Sequence, residues 1–101
     1  MREIVYSQKY REKIFGLKQY LNENFGESVC KNTLKNITGT INNLILFPKS
    51  GQSVKDVFGI ESDYWYIYIL QNYIFYRITK EKIEIINIYN EKEDFIKKLF
   101  G

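Results

Sequence analysis

Histidine is absent from this chain of 101 residues, and cysteine, proline and tryptophan occur once each. Without histidine, Ser-His-Asp and Cys-His catalysis are excluded, so any proton transfer must use Glu, Asp, Lys, Tyr or Cys. The single Cys30 excludes an internal disulfide and an all-cysteine metal site. Its place on the apolar face of a predicted helix favours packing. We expect neither a metal nor another cofactor.

Long hydrophobic runs are also lacking. No apolar stretch approaches the roughly 20 residues of a membrane span, and the first residues show neither a signal core nor a small-residue cleavage site. We therefore expect a cytoplasmic protein with no membrane partner. The length predicts a single domain over residues 1–101, with one hydrophobic core.

Arginine is scarce among the fifteen basic residues, occurring only as Arg2, Arg11 and Arg77. The net charge of +3 is mildly basic and permits a nucleic-acid or acidic partner without requiring one. Because arginine is the usual residue for bidentate phosphate recognition, Arg77 is a candidate functional residue.

The first half of the chain has a helical pattern. Ile4–Tyr6 is a candidate strand, and Ser7 is a candidate helix N-cap. Apolar residues then recur every three or four positions along two seams: Tyr10, Ile14, Leu17 and Leu21, then Cys30, Leu34, Ile37, Ile41 and Leu44. Gly26 and Pro48 predict where the two helices end. The two helices, separated by a short break, are predicted to form an antiparallel hairpin. Gly39 lies within the second helix, and close approach of the first helix would explain a glycine there.

The second half alternates like a β-meander. Three apolar, aromatic and β-branched strands are predicted, at residues 64–70, 73–79 and 82–89. Two-residue turns at Gln71-Asn72 and Lys80-Glu81 make the sheet antiparallel. Residues 52–63 before it are expected to form an ordered loop. Asn90 followed by Glu93 predicts the capped start of a short final helix.

Alternation along the middle strand separates two faces. Ile74, Tyr76 and Ile78 share the face that should carry the helical hairpin. Tyr73, Phe75 and Arg77 share the opposite face, where a partner or substrate could sit. Strands this apolar on both faces need covering, and a partner segment would cover part of the second face.

The order β-α-α-β-β-β-α, the proline after the second helix, and the phrases Asn-Tyr-Ile-Phe-Tyr-Arg-Ile (72–78) and Ile-Ile-Asn-Ile-Tyr (85–89) resemble toxins of the RelE/ParE superfamily. The resemblance implies an α+β fold, with a short N-terminal strand and a helical hairpin packed on a small, mostly antiparallel sheet and a short C-terminal helix. It also implies a growth-inhibiting, plasmid-stabilising toxin of a type II toxin–antitoxin module. A cognate antitoxin would neutralise it, and operator DNA would be reached only through that antitoxin.

Two activities are implied by the resemblance, and it leaves open whether the protein is an enzyme. One branch inhibits DNA gyrase. The other is a metal-independent endoribonuclease that cuts mRNA on the ribosome, which requires a base, an acid and a cation for the phosphorane. In that branch Arg77 would hold the phosphate, Tyr89 would act as an acid or a stacking platform, and Glu61 and Lys55 would add further groups.

Each of these residues also has a structural interpretation. Arg77 could simply pair with Glu84 or Glu61, Tyr89 could pack, and Lys55 could be a solvated loop charge. The residues predicted to bind the antitoxin or the target are Tyr66, Tyr68, Tyr73, Phe75, Arg77 and Phe95.

The chain departs from the superfamily pattern at two places. Tyr66 or Tyr68 stands where the first strand of the meander often carries arginine, and the turn after the last strand is Asn90-Glu91-Lys92 rather than doubly basic. These departures favour the gyrase-directed branch. A ribosome-dependent endoribonuclease is the chief alternative, and a non-toxic binding module with the same fold is a third.

Overall fold

The computed structural model describes residues 1–101 as ten elements, including one turn of 3-10 helix at Asn43–Ile45. The others are β1 (Glu3–Tyr6), α1 (Gln8–Phe25), α2 (Glu27–Asn42), β2 (Gln52–Ser53), α3 (Val54–Phe58), β3 (Tyr64–Ile69), β4 (Asn72–Ile78), β5 (Lys82–Asn90) and α4 (Phe95–Phe100). The predicted α+β fold is therefore confirmed. The expected loop at 52–63 contains β2 and α3.

Five strands form one sheet in the order β1-β5-β4-β3-β2. Only the β1–β5 pair is parallel, and it joins Glu3–Tyr6 to Lys82–Ile85. A bulge between Phe75 and Tyr76 shifts the β4–β5 register, so that Phe75 pairs with Asn87 and Tyr76 pairs with Ile85. Because β1 ends beside Ile85, the second half of β5 is an open sheet edge.

The helical hairpin begins at the predicted residue, but α2 ends at Asn42, before Pro48 is reached, and the turn of 3-10 helix at Asn43–Ile45 follows it. The Ser7 side chain accepts a hydrogen bond from the Tyr10 N–H and caps α1, while Gly26, at φ 90°, separates α1 from α2. The explanation of Gly39 by close helix approach is wrong, since a Cβ there would meet no atom within 4 Å.

The main core lies between the hairpin and one sheet face. Ile37 and Ile41 of α2 are buried against Ile74 and Tyr76 of β4, together with Ile83 and Ile85 of β5. This is the face that strand alternation assigned to the hairpin. The thiol of Cys30 is also buried, 3.5 Å from the Lys18 carbonyl oxygen.

The chain itself covers the second sheet face. Val54 of α3 and residues of α4 pack around Phe75, Tyr66 and Tyr89. The helix α4 starts later than predicted: Asp94 is its N-cap, and Asn90 is the last residue of β5. Glu93 still accepts the Asn90 N–H at 2.8 Å, but the β5 strand supplies that donor.

The β3–β4 turn also differs from prediction. Leu70 and Gln71 occupy it with φ of 50° and 67°, and Asn72 is already the first residue of β4. Two positive φ values are the signature of a type I′ hairpin turn, whose twist matches that of the strands. The Asn72 amide supports the turn by donating to the Leu70 carbonyl at 2.9 Å.

No helix here is both long and apolar enough to pass through a membrane.

Candidate functional site

Arg77 projects from β4 on the sheet face opposite the hairpin, within a set of acidic groups. Its guanidinium Nη2 lies 2.7 Å from Glu84 Oε1 on β5, and its Nε lies 4.0 Å from Asp63 Oδ2. The hydrogen bond and charge of Glu84 raise the arginine pKa. Because two carboxylates already balance it, the Arg77 guanidinium offers a bound phosphate little free positive charge.

Tyr89 lies near the end of β5, beside the open part of the sheet edge. The amide Nδ2 of the buried Asn87 donates to its hydroxyl at 2.9 Å. The ammonium of Lys13 lies 3.5 Å from the ring centroid and donates to the Ile88 carbonyl at 3.0 Å. Desolvation, with a further contribution from Glu93, raises the Tyr89 pKa, so the phenol is a weak proton donor.

Lys55 and Glu61 are paired with each other. Their side chains form an exposed salt bridge of 3.2 Å between α3 and the segment that leads to β3. Exposed pairs of this kind contribute little energy. The two residues join α3 to that segment, and neither forms a hydrogen bond or an ion pair with Arg77 or Tyr89.

The four predicted catalytic residues therefore occupy separate places. Tyr89 of β5 pairs with Tyr73 of β4 in the sheet register. Arg77 lies on β4, four residues after Tyr73. At the usual rise per residue, this separates the two positions by about 13 Å along the sheet. A single phosphate group is too small to contact both side chains at once in this arrangement.

Five of the six residues predicted to bind the antitoxin or target form one aromatic cluster, and the sixth is Arg77. The Phe95 ring of α4 lies 4.5 Å from that of Tyr73 and 5.6 Å from that of Phe75. Phe75 is fully buried and Tyr66 is 9% exposed, whereas Tyr68 is about half exposed and donates to Glu91 at 2.7 Å. In this structure, Tyr68 is therefore the member of the set that is most open to a partner.

Several polar residues beside Tyr89 were not predicted from the sequence. Asn87 is the one polar side chain in the buried set, and the sequence marks it as an amide within the apolar run from Ile85 to Tyr89. The sequence does not mark Lys13, Glu93 and Lys98 as site residues, because charged residues on helices and turns are usually exposed to solvent. Tertiary structure brings them to the cleft beside Tyr89.

Comparison with known proteins agrees with this fold. Residues 4–95 match the family described as "ParE toxin of type II toxin-antitoxin system, parDE". The chain therefore belongs to the ParE toxin family of type II toxin–antitoxin systems. Members of the wider RelE/ParE superfamily share its architecture.

Two solved structures illustrate the similarity. A chain of the chromosomal ParDE toxin–antitoxin system of P. aeruginosa superposes with a TM-score of 0.71 at 12% identity, over 89% of this chain and 96% of that one. A chain of the E. coli DinJ-YafQ complex gives a TM-score of 0.55 at 19% identity, over the full length of both. At such identities the similarity concerns the fold. No curated protein sequence matches the chain.

Proposed function

We propose that this protein arrests growth by acting on DNA gyrase, that it does not cut mRNA, and that a cognate antitoxin neutralises it. The supporting observation is the state of Arg77, the one arginine of the sheet, whose guanidinium is bound by Glu84 and faces Asp63. Stabilising a phosphorane requires free positive charge directed at the reacting phosphate. Both the pairing of Arg77 and its separation from Tyr89 argue against cleavage chemistry.

The antitoxin part of the proposal rests on family membership and on the solved relatives, which are described as a ParDE TA system and as a DinJ-YafQ toxin-antitoxin complex. The partner would be a small protein with acidic or amphipathic character, suited to a chain of net charge +3. Any contact with operator DNA would be made by the antitoxin.

Supercoiling of relaxed plasmid by purified gyrase tests the target. We expect the purified toxin to inhibit supercoiling, and the Arg77→Ala variant to inhibit within about twofold of the natural chain, since exposed ion pairs add little. Inhibition of growth in cells should likewise survive this substitution. Unimpaired supercoiling at toxin concentrations that stop growth would overturn the gyrase target.

Primer extension on mRNA in a cell-free translation reaction tests the alternative. Discrete cuts that appear only with toxin, and disappear with Arg77→Ala or Tyr89→Phe, would establish the ribosome-dependent endoribonuclease. Cells that grow normally while expressing soluble, folded protein without an antitoxin would instead support a non-toxic binding module.

A further inference from the structure

Beside Tyr89, a cleft of about 570 Å³ opens at the unpaired edge of β5. Helix α1, the end of β5 and helix α4 form its walls. Its polar lining combines three lysines, one carboxylate, an amide and a phenol: Lys9, Lys13, Lys98, Glu93, Asn87 and Tyr89. The net charge of these groups is therefore two positive units, in a molecule whose whole net charge is +3.

The positive charge in the cleft is only partly balanced. Lys98 pairs with Glu93 at 2.9 Å, whereas Lys9 and Lys13 form no ion pair. Burial lowers the pKa of Lys13. The carboxylate of Glu93 raises this pKa, whereas the nearby ammonium groups of Lys98 and Lys9 lower it further. Ser7, the N-cap of the 18-residue helix α1, also lines the cleft, so the positive end of that helix dipole lies there.

Two neutral groups in the cleft are held in place for hydrogen bonding. Asn87 is 7% exposed, donates to the Tyr89 hydroxyl and accepts the Ile88 N–H at 2.9 Å. Because the Tyr89 oxygen already accepts the amide hydrogen, its own proton is directed elsewhere, and no protein acceptor receives it. Tyr89 therefore has a free O–H donor among the lysines.

We propose that this cleft binds a phosphate group carried by a nucleotide or by a nucleic-acid strand. Several ammonium groups and one hydroxyl suit an anion with three or more oxygens, and lysine binds phosphate as a point charge. The volume also exceeds that of a single ion, which leaves room for the group that carries the phosphate. Gyrase need not be the target for this site to exist.

Fluorescence anisotropy with labelled single-stranded RNA, single-stranded DNA and duplex DNA, at about 50 mM salt, is the first test. Lys9→Gln and Lys98→Gln should each weaken binding by about threefold to tenfold and lower the slope of log affinity against log salt by about one. The control is Lys80→Gln, in the turn at the opposite end of β5, which should leave both quantities unchanged.

Two further variants separate a built site from general attraction to a basic surface. Tyr89→Phe keeps the ring beneath Lys13 but removes the donor, so we expect affinity to fall about threefold to tenfold without a change in the salt slope. Glu93→Gln removes the competing carboxylate and keeps an acceptor for the Asn90 N–H, so affinity should rise several-fold. A general electrostatic effect predicts no loss with Tyr89→Phe.

Amide chemical shifts measured with inorganic phosphate and with adenosine monophosphate distinguish the two sources of phosphate. Shifts centred on Asn87 and Tyr89 with the mononucleotide, but no oligonucleotide binding, would assign the cleft to a small phosphate. Binding of oligonucleotides alone would assign it to a strand backbone. No binding of any probe, or equal losses with Lys80→Gln and Lys9→Gln, would overturn the proposal. The binding and chemical-shift measurements test this cleft whatever the outcome of the supercoiling assay.

Discussion

At the scale of single residues, Tyr76 fastens the loop between the helices and the sheet. Its side chain is fully buried, yet its hydroxyl donates to the Pro48 carbonyl at 2.7 Å and accepts the Gly51 N–H at 3.3 Å. One phenol therefore satisfies two backbone groups that pass over the core. Tyr76→Phe should lower the free energy of unfolding by about 1–3 kcal/mol, because both groups lose their partner. Urea denaturation followed by circular dichroism measures it.

Gly51 lies beside that phenol for a steric reason. A Cβ at this position would clash with the Tyr66 carbonyl oxygen and lie 2.7 Å from the Tyr76 hydroxyl. Gly51→Ala should therefore destabilise the protein by about 2 kcal/mol or more. Gly39→Ala is the matched control: its Cβ enters open space inside α2, so it should stabilise by about 0.5–1 kcal/mol. Equal effects of the two substitutions in urea denaturation would contradict this assignment.

At the scale of elements, α4 serves as a cover for the second sheet face. The Phe95 ring packs against Tyr73 and Phe75, and against Phe58 at 5.9 Å. Phe95→Ala should cost about 2–4 kcal/mol of unfolding free energy. Lys97→Ala, on the same helix, should change it by less than about 0.5 kcal/mol. If Phe95→Ala were as mild as Lys97→Ala in thermal denaturation, α4 would not be a stable cover.

The hairpin turn between β3 and β4 holds two non-glycine residues at positive φ. Such residues each store about 1 kcal/mol or more, which glycine avoids. Gln71→Gly should therefore raise the free energy of unfolding by about 0.5–1 kcal/mol. Gln71→Ala retains the strain and should give no such gain. A destabilised Gln71→Gly protein would show that the glutamine side chain, rather than the backbone, sets the energy of the turn.

The sequence predicted most elements, because hydrophobic periodicity is local information. The seams of α1 and α2 and the face that Tyr76 shares with the hairpin follow from spacing of three or four residues, or of two. The Ser7 cap follows from its residue type just before the first seam. The turn at 70–71 was misplaced because Asn72 prefers positive φ locally, while strand register sets the actual position. Tertiary register overrode local propensity at this turn.

The candidate site was less accessible to prediction. Arg77 and Tyr89 could be singled out by residue type, but their partners Glu84, Lys13 and Asn87 arrive through strand pairing and helix packing. A bulge at Phe75–Tyr76 sets which residues of β5 face α4, and alternation alone does not reveal a bulge. The sequence also does not predict that α4 covers the second sheet face, because the six residues of this helix form only a short apolar pattern.

At the scale of the whole molecule, tyrosines rather than histidines govern the response to pH. No histidine titrates in the neutral range. Six tyrosines, namely Tyr6, Tyr10, Tyr66, Tyr68, Tyr76 and Tyr89, have raised pKa values in the fold, chiefly from burial except at Tyr68, where the hydrogen bond to Glu91 comes first. The folded state thus keeps phenol protons that the unfolded chain releases.

This linkage predicts alkaline unfolding. The unfolded pKa of tyrosine is near 10, so the stabilisation is complete below about pH 10 and is lost as the pH rises through the folded values. Burial raises the Tyr76 pKa to about 12, so by about pH 12 this residue alone should remove about 2–3 kcal/mol. Circular dichroism, followed with phenolate absorbance from pH 9 to 12.5, should be lost in one cooperative step that coincides with ionisation of the buried tyrosines. In the Tyr76→Phe variant, the free energy of unfolding should depend less steeply on pH between pH 10 and pH 12. Complete phenolate formation with an intact dichroism spectrum would show that the buried hydroxyls also ionise in the folded state and are not held by the core.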